Sequence, residues 1–91
     1  MKGKIIRIGK VEERHGRLNV YKLQSLMLDV TPEDGAPRQS LFGTLFGHHV
    51  DTLAALAPQY GDTLEFDCVF TTSERNSFVT NYIEIENPRR A

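Results

Sequence analysis

Alternation of apolar and polar residues with a period of two dominates this sequence. It is cleanest late in the chain, where Leu64, Phe66, Cys68 and Phe70 alternate with Thr63, Glu65, Asp67 and Thr71. Successive side chains of an extended strand point to opposite faces, so this pattern predicts a strand with one face inward and one toward water. A second such run, Phe78 to Glu86, puts Val79, Ile83 and Ile85 on one face and Phe78, Thr80, Tyr82, Glu84 and Glu86 on the other. The polar stretch between them, Ser73 to Ser77, predicts a hairpin loop.

Three more strands precede these. Lys2 to Val11 is rich in isoleucine and valine, with Gly3 and Gly9 marking bends. Glu12 to Arg17 reads as a charged turn with Gly16 at its apex. Leu18 to Thr31 is β-type, with Leu26, Leu28 and Val30 on one face. Its parity breaks near Lys22 and Gln24, which predicts a bulge between Tyr21 and Gln24. Pro32 to Pro37 is a loop. Arg38 to Phe46 reads as a third strand, apolar on both faces from Phe42 to Phe46 and so expected to be covered on both sides, with Gly43 admitting a close neighbour. Only His48 to Ala57 changes period: Val50, Leu53, Ala54 and Ala57 recur at helical spacing, Asp51 lies in the first turn, and Pro58 ends the run.

The element order is thus β-β-β-α-β-β. Five strands in 91 residues leave edges that a closed barrel removes, and a five-stranded Greek-key barrel with its helix between the third and fourth strands is the OB-fold. An SH3-like barrel lacks that helix, and a ferredoxin-like fold needs a second one where Glu12 to Leu18 is too short and charged. We therefore expect an all-β, single-domain OB-fold over residues 1–87, followed by a short frayed polar tail at 88–91.

Composition narrows the partners. No apolar run approaches the roughly 20 residues of a membrane span, and the N-terminal segment lacks the pattern of a signal peptide. The single cysteine, Cys68, cannot form an internal disulfide. These features predict a soluble, cytoplasmic protein with no membrane partner. The formal net charge of −1 argues against a broad duplex-DNA surface, but the charge is divided. Before Pro32, seven basic residues face three acids; from Pro32 onward, four face nine. Such polarity predicts that the first strands meet an anion.

Several stretches also resemble a known family. Lys2-Gly3-Lys4-Ile5-Ile6, Lys22-Leu23-Gln24-Ser25-Leu26-Met27-Leu28, Leu45-Phe46-Gly47 and Tyr60-Gly61-Asp62 look like the small bacterial single-strand-binding OB domains. They are most similar to a family of uncharacterised short OB proteins of Bacteroides-type bacteria. The resemblance implies single-stranded DNA binding, often by a homo-oligomer. The chain departs from that pattern in having no tryptophan, with Leu45-Phe46 and the last hairpin at the places where relatives often carry one.

OB-folds hold single strands in a groove across their second and third strands, flanked by the first and last hairpin loops. Such a site needs cations for phosphates and aromatic faces for bases. The candidates are Arg14, His15 and Arg17 in the first loop; Tyr21, Lys22 and Gln24 on the second strand; Arg38 opening the third; and Arg75, Asn76 and Phe78 in the last hairpin, with Tyr82 sharing the face of Phe78. Phe42 and Phe46 read first as core or subunit contacts. His15, His48, His49 and Cys68 do not have metal-ligand spacing, and no nucleophilic triad, carboxylate pair or phosphate loop is present. We expect no enzyme activity, no metal and no cofactor. The expected function is sequence-tolerant binding of single-stranded DNA, with RNA as a second candidate strand, in replication, recombination or repair. The alternative is a protein-interaction module that takes no nucleic acid.

Overall fold

The computed structural model describes residues 1–30 and 39–91, with the side chains of 73, 75, 78, 80 and 81 outside the description. Its elements are β1 (Lys2–Ile8), β2 (Glu12–His15), β3 (Val20–Val30), β4 (Gln39–Phe46), α1 (His48–Leu56), β5 (Thr63–Arg75) and β6 (Phe78–Arg90). The hydrogen-bonded order is β1-β5-β6-β4-β3-β2, and β1 also pairs with β3. That extra pairing closes β1, β5, β6, β4 and β3 into a ring. All its ladders are antiparallel except β4–β6, which is parallel at Thr44–Glu84. This is the OB-fold expected from the element order, with β2 added as a flap beside β3. Among the described residues no helix is long and apolar enough to cross a membrane.

Inward parity builds one core. Ile5, Leu26, Leu28, Leu45, Val50, Leu53, Leu64, Phe66 and Ile85 are all buried. Helix α1 is short and closes the barrel between β4 and β5 by burying Val50 and Leu53. It ends on Ala57, which takes a left-handed conformation (φ 47°) just before Pro58. Gly43 faces this core, and a Cβ there would lie 2.7 Å from both Cγ1 and Cδ1 of Ile85. The close neighbour expected at Gly43 is therefore β6.

Several local expectations are corrected. Glu12–His15 is a strand rather than part of a turn: it pairs with Val20–Leu23, and the reversal is confined to Gly16–Asn19. A two-strand flap is held by backbone hydrogen bonds and needs no buried side chain, so it leaves no apolar period to read. The bulge lies in β1, between Ile5 and Arg7, whereas the β3–β4 ladder runs unbroken from Leu23–Phe46 to Val30–Gln39. Gln24 keeps the inward parity of Leu26 and donates its side-chain amide to the Gly9 carbonyl at 2.9 Å, which satisfies a polar group only 8% exposed.

Nor is the third strand covered on both sides, since Phe42 is 58% exposed. Phe70 has inward parity but is 83% exposed, because the β5–β6 hairpin continues past the described core. Only Asn76 and Ser77, both at positive φ, form that hairpin's turn, so Ser73–Arg75 belong to β5. The segment expected to fray is paired: Arg89 and Arg90 lie opposite Glu65 and Leu64. The Pro32–Pro37 loop falls outside the described residues.

Candidate nucleic-acid interface

The outer face of β3 is the natural place to look for a single-strand site. Its register with β1, β2 and β4 assigns each neighbour to a face without ambiguity. On the water-facing side β3 presents Tyr21, Leu23, Ser25, Met27 and Asp29. Opposite them on β4 are Phe46 at Leu23, Thr44 at Ser25, Phe42 at Met27 and Ser40 at Asp29. Along the other edge of β3 lie β1 and β2 in succession, placing Lys4 at Asp29, Arg7 at Met27, Glu12 at Leu23 and Arg14 at Tyr21.

Two features follow from this register. The first is an aromatic row. Tyr21 and Phe46 have ring centroids 6.3 Å apart, and Phe46 and Tyr82 are 6.1 Å apart, tilted at 47° and 57°. These are ordinary separations for rings in contact. Phe46 and Tyr82 are half-buried and Tyr21 is exposed, so each ring keeps some surface toward water.

The second is a column of cations along the β1–β2 edge, made by Lys4, Arg7 and Arg14, with Lys10 in the connection between the strands. Among the described residues no ion pair engages Lys4, Arg7, Lys10 or Arg17. Arg14 approaches only Glu12, at 3.9 Å with both side chains more than half exposed. Such a surface contact holds a guanidinium weakly and leaves it available to a phosphate. Glu12, Asp29 and Glu84 share this face, with Asp29 directly opposite Lys4, so its positive charge is confined to the edge.

Beside Arg7 lies a concavity of about 290 Å³ lined by Arg7, Gly9, Ser25, Leu26, Met27 and Phe42. Gly9 forms one wall by donating its N–H to the Ser25 carbonyl at 2.8 Å, and a Cβ at Gly9 would lie 2.9 Å from that same oxygen. The backbone approach that shapes this wall requires glycine.

The residues singled out from sequence divide. Arg14 and Tyr21 come together as a cross-strand pair on this face, and Arg17 sits exposed in the adjoining turn. His15 pairs with Val20 at the end of the flap. Lys22 does not join them: it follows Tyr21 and so points to the other side of β3, where its Nζ is 3.1 Å from Asp51 Oδ1 on α1. Gln24 is turned inward, as described above. Arg75 and Phe78 flank the Asn76–Ser77 turn at the far tip of the β5–β6 hairpin, with side chains outside the description, and Arg38 lies outside the described residues.

The site also contains residues that sequence reasoning did not assign to it. Arg7 was hidden by the bulge in β1: after Ile5 an extra residue reverses the parity and brings Arg7 out beside Met27. The adjacent Ile5-Ile6, two large apolar residues on what should be opposite faces, is the signal that could have found it. Phe42 and Phe46 read as core or subunit contacts because β4 is apolar on both sides.

The rest of the barrel has different chemistry. His49 clamps α1 to β6, its Nδ1 accepting from the Asn87 N–H at 3.1 Å and its Nε2 lying 3.4 Å from Glu86. Cys68 has its Sγ 3.9 Å from the Met1 Sδ, and burial pushes its thiol above the ordinary range, which disfavours the reactive thiolate. Among the described residues no group of three or more His, Cys, Asp or Glu is placed to hold a metal ion. Compared with known proteins, the chain matches no protein-family model and no curated sequence.

Proposed function

We propose that this protein binds single-stranded nucleic acid, DNA first, across the outer face of β3 and β4. The observation that carries this reading is the side-by-side register of a cation column (Lys4, Arg7, Arg14) and an aromatic row (Tyr21, Phe46, Tyr82). Phosphates run along the β1–β2 edge, and bases turn inward onto the rings. Each stacked base is worth roughly 1–3 kcal/mol by truncation, and stacking does not depend on base identity. The strand is therefore held with broad sequence tolerance, as replication, recombination or repair in the cytoplasm would use it. One copy supplies few cations, so affinity rises when several copies of the chain share one strand.

Fluorescence anisotropy with an oligothymidine at several salt concentrations tests the reading. Contact with three to five phosphates gives a log–log slope of about −2 to −3.5. Absence of binding at micromolar protein in low salt overturns it. The matching ribo-oligomer decides between DNA and RNA.

One observation favours a second reading, a protein-interaction module: Phe70 on the projecting β5–β6 hairpin is 83% exposed. If Phe70→Ser changes sedimentation or partner capture while no oligonucleotide binds, this second reading replaces the first.

A further inference from the structure

The concavity beside Arg7 is chemically unlike the aromatic row, and we propose that it takes one guanine base of the bound strand, read by the Arg7 guanidinium. The proposal rests on the single-strand reading above and adds to it one position of base selectivity.

Size and lining come first. At about 290 Å³ the concavity sits at the lower end of ligand sites, room for one flat bicyclic base and little more. Besides Arg7 it is lined by Phe42, Met27, Leu26, Ser25 and Gly9. Phe42 is 58% exposed and has no ring partner among the described residues, unlike Phe46 in the row above it. An uncovered ring beside a polarisable thioether is a surface on which a base can lie.

Donor and acceptor count then selects the base. Arg7 is the one charged residue lining the concavity among the described residues, and no carboxylate lines it. A guanidinium offers only donors, in a planar fork. Guanine presents two neighbouring acceptors, O6 and N7, that match the fork in bidentate fashion, whereas adenine puts an exocyclic amine donor where O6 would be. Thymine has no two neighbouring acceptors, and cytosine's pair, N3 and O2, sits on a single ring that fills less of the concavity. The sheet register fixes the arrangement: Arg7, Met27 and Phe42 lie in one row across β1, β3 and β4 on the water-facing side.

The test compares oligothymidine with the same oligomer carrying a single central dG, dA or 7-deaza-dG. A bidentate pair discriminates by about 1–3 kcal/mol, so dG should bind at least about fivefold more tightly than dA. The 7-deaza base, which lacks N7, should lose most of that gain. Arg7→Lys keeps the charge but not the fork. It should abolish the dG-over-dA preference, read as the ratio of the two affinities, so that any loss of phosphate contact, common to every oligomer, cancels.

Equal affinity for dG, dA and dT with oligothymidine binding intact overturns the guanine site and leaves the single-strand reading standing. A dG preference that survives Arg7→Lys undiminished also overturns it. Loss of all oligonucleotide binding in the wild-type protein overturns both.

Discussion

The two faces of β3 are built from interleaved residues of a single strand, yet they answer to different physics. Gln24, Leu26 and Leu28 turn inward and are almost entirely removed from water. Tyr21, Leu23, Ser25 and Met27 turn outward against Phe46, Thr44 and Phe42, where no second layer of described residues covers them. Burial governs the first set, so volume is what matters there. The second set keeps rings and an apolar slot accessible beside cations, an arrangement that burial does not demand. Substitutions on the inner face should therefore unfold the protein, and substitutions on the outer face should weaken binding with the fold retained.

The largest effect should come from Leu28→Ala. Leu28 is 0% exposed in the centre of the barrel. Truncating a buried leucine costs about 2–5 kcal/mol, a large fraction of what a domain of this size has. Chemical denaturation should show a lower midpoint with an unchanged slope; a midpoint close to wild type would break the contrast between the faces. A smaller loss is expected for Gly43→Ala, whose added methyl would lie 2.7 Å from Ile85. Overpacking of this kind costs about 1–3 kcal/mol. Ile85→Val, which removes the Cδ1 contact, should recover part of it, and the double-mutant cycle measures how much.

On the outer face the readout changes. Tyr21→Ala should leave the denaturation midpoint nearly in place and weaken oligothymidine binding by the roughly 1–3 kcal/mol of one stacked base. Charge sharpens the comparison between neighbouring positions. Arg14→Gln should reduce the magnitude of the salt slope by about 0.7, the contribution of one phosphate on a single strand. Lys22→Gln, on the opposite side of β3 and paired with Asp51, should leave the slope unchanged. If Lys22→Gln moved the slope as much as Arg14→Gln, the strand would not follow the β1–β2 edge.

How much of this could be read from the sequence follows the same division. The closed barrel was legible because inward positions repeat with a period of two and because the only helical spacing falls between β4 and β5. What the pattern could not give is where a strand outruns its core. Phe70 has the parity of Phe66, but the barrel stops before it. Phe42 looks as apolar as Leu41, and only the structure shows it more than half exposed. Of the site, Arg14 and Tyr21 could be anticipated from where OB-folds hold single strands, but not their cross-strand pairing, because Glu12 to Arg17 reads as a turn. Arg7 could not, because a one-residue bulge inverted its face. Lys22 and Gln24 shared strand and composition with the site but have the wrong parity for it. Parity along a strand is local information, whereas the end of the barrel and the position of a bulge are set by pairing with distant residues.

The smallest expected effect lies on the β5–β6 side, away from the proposed strand. Asp67 accepts from the Asn87 side-chain amide at 3.0 Å and lies 3.4 Å from Arg89. The Asn87 hydrogen bond, and then Arg89, hold its carboxyl below the usual carboxylate range. A depressed folded-state pKa means that the unfolded chain binds the proton first as pH falls. The carboxylate's contribution is thus fully present above the unfolded aspartate value of about 3.9. It fades as pH drops through the lower folded value. Asp67→Asn should therefore melt slightly below wild type at neutral pH, and the gap should close as the solution is acidified. The group is exposed, so the gap is small throughout. The same variant should bind oligothymidine as wild type does, because its neighbours Asn87 and Arg89 belong to the ladder that closes the barrel and not to the β1–β2 edge. A change in affinity for Asp67→Asn with unchanged stability would place the strand on the wrong side of the molecule, and the contrast between the two faces of β3 would lose its functional meaning.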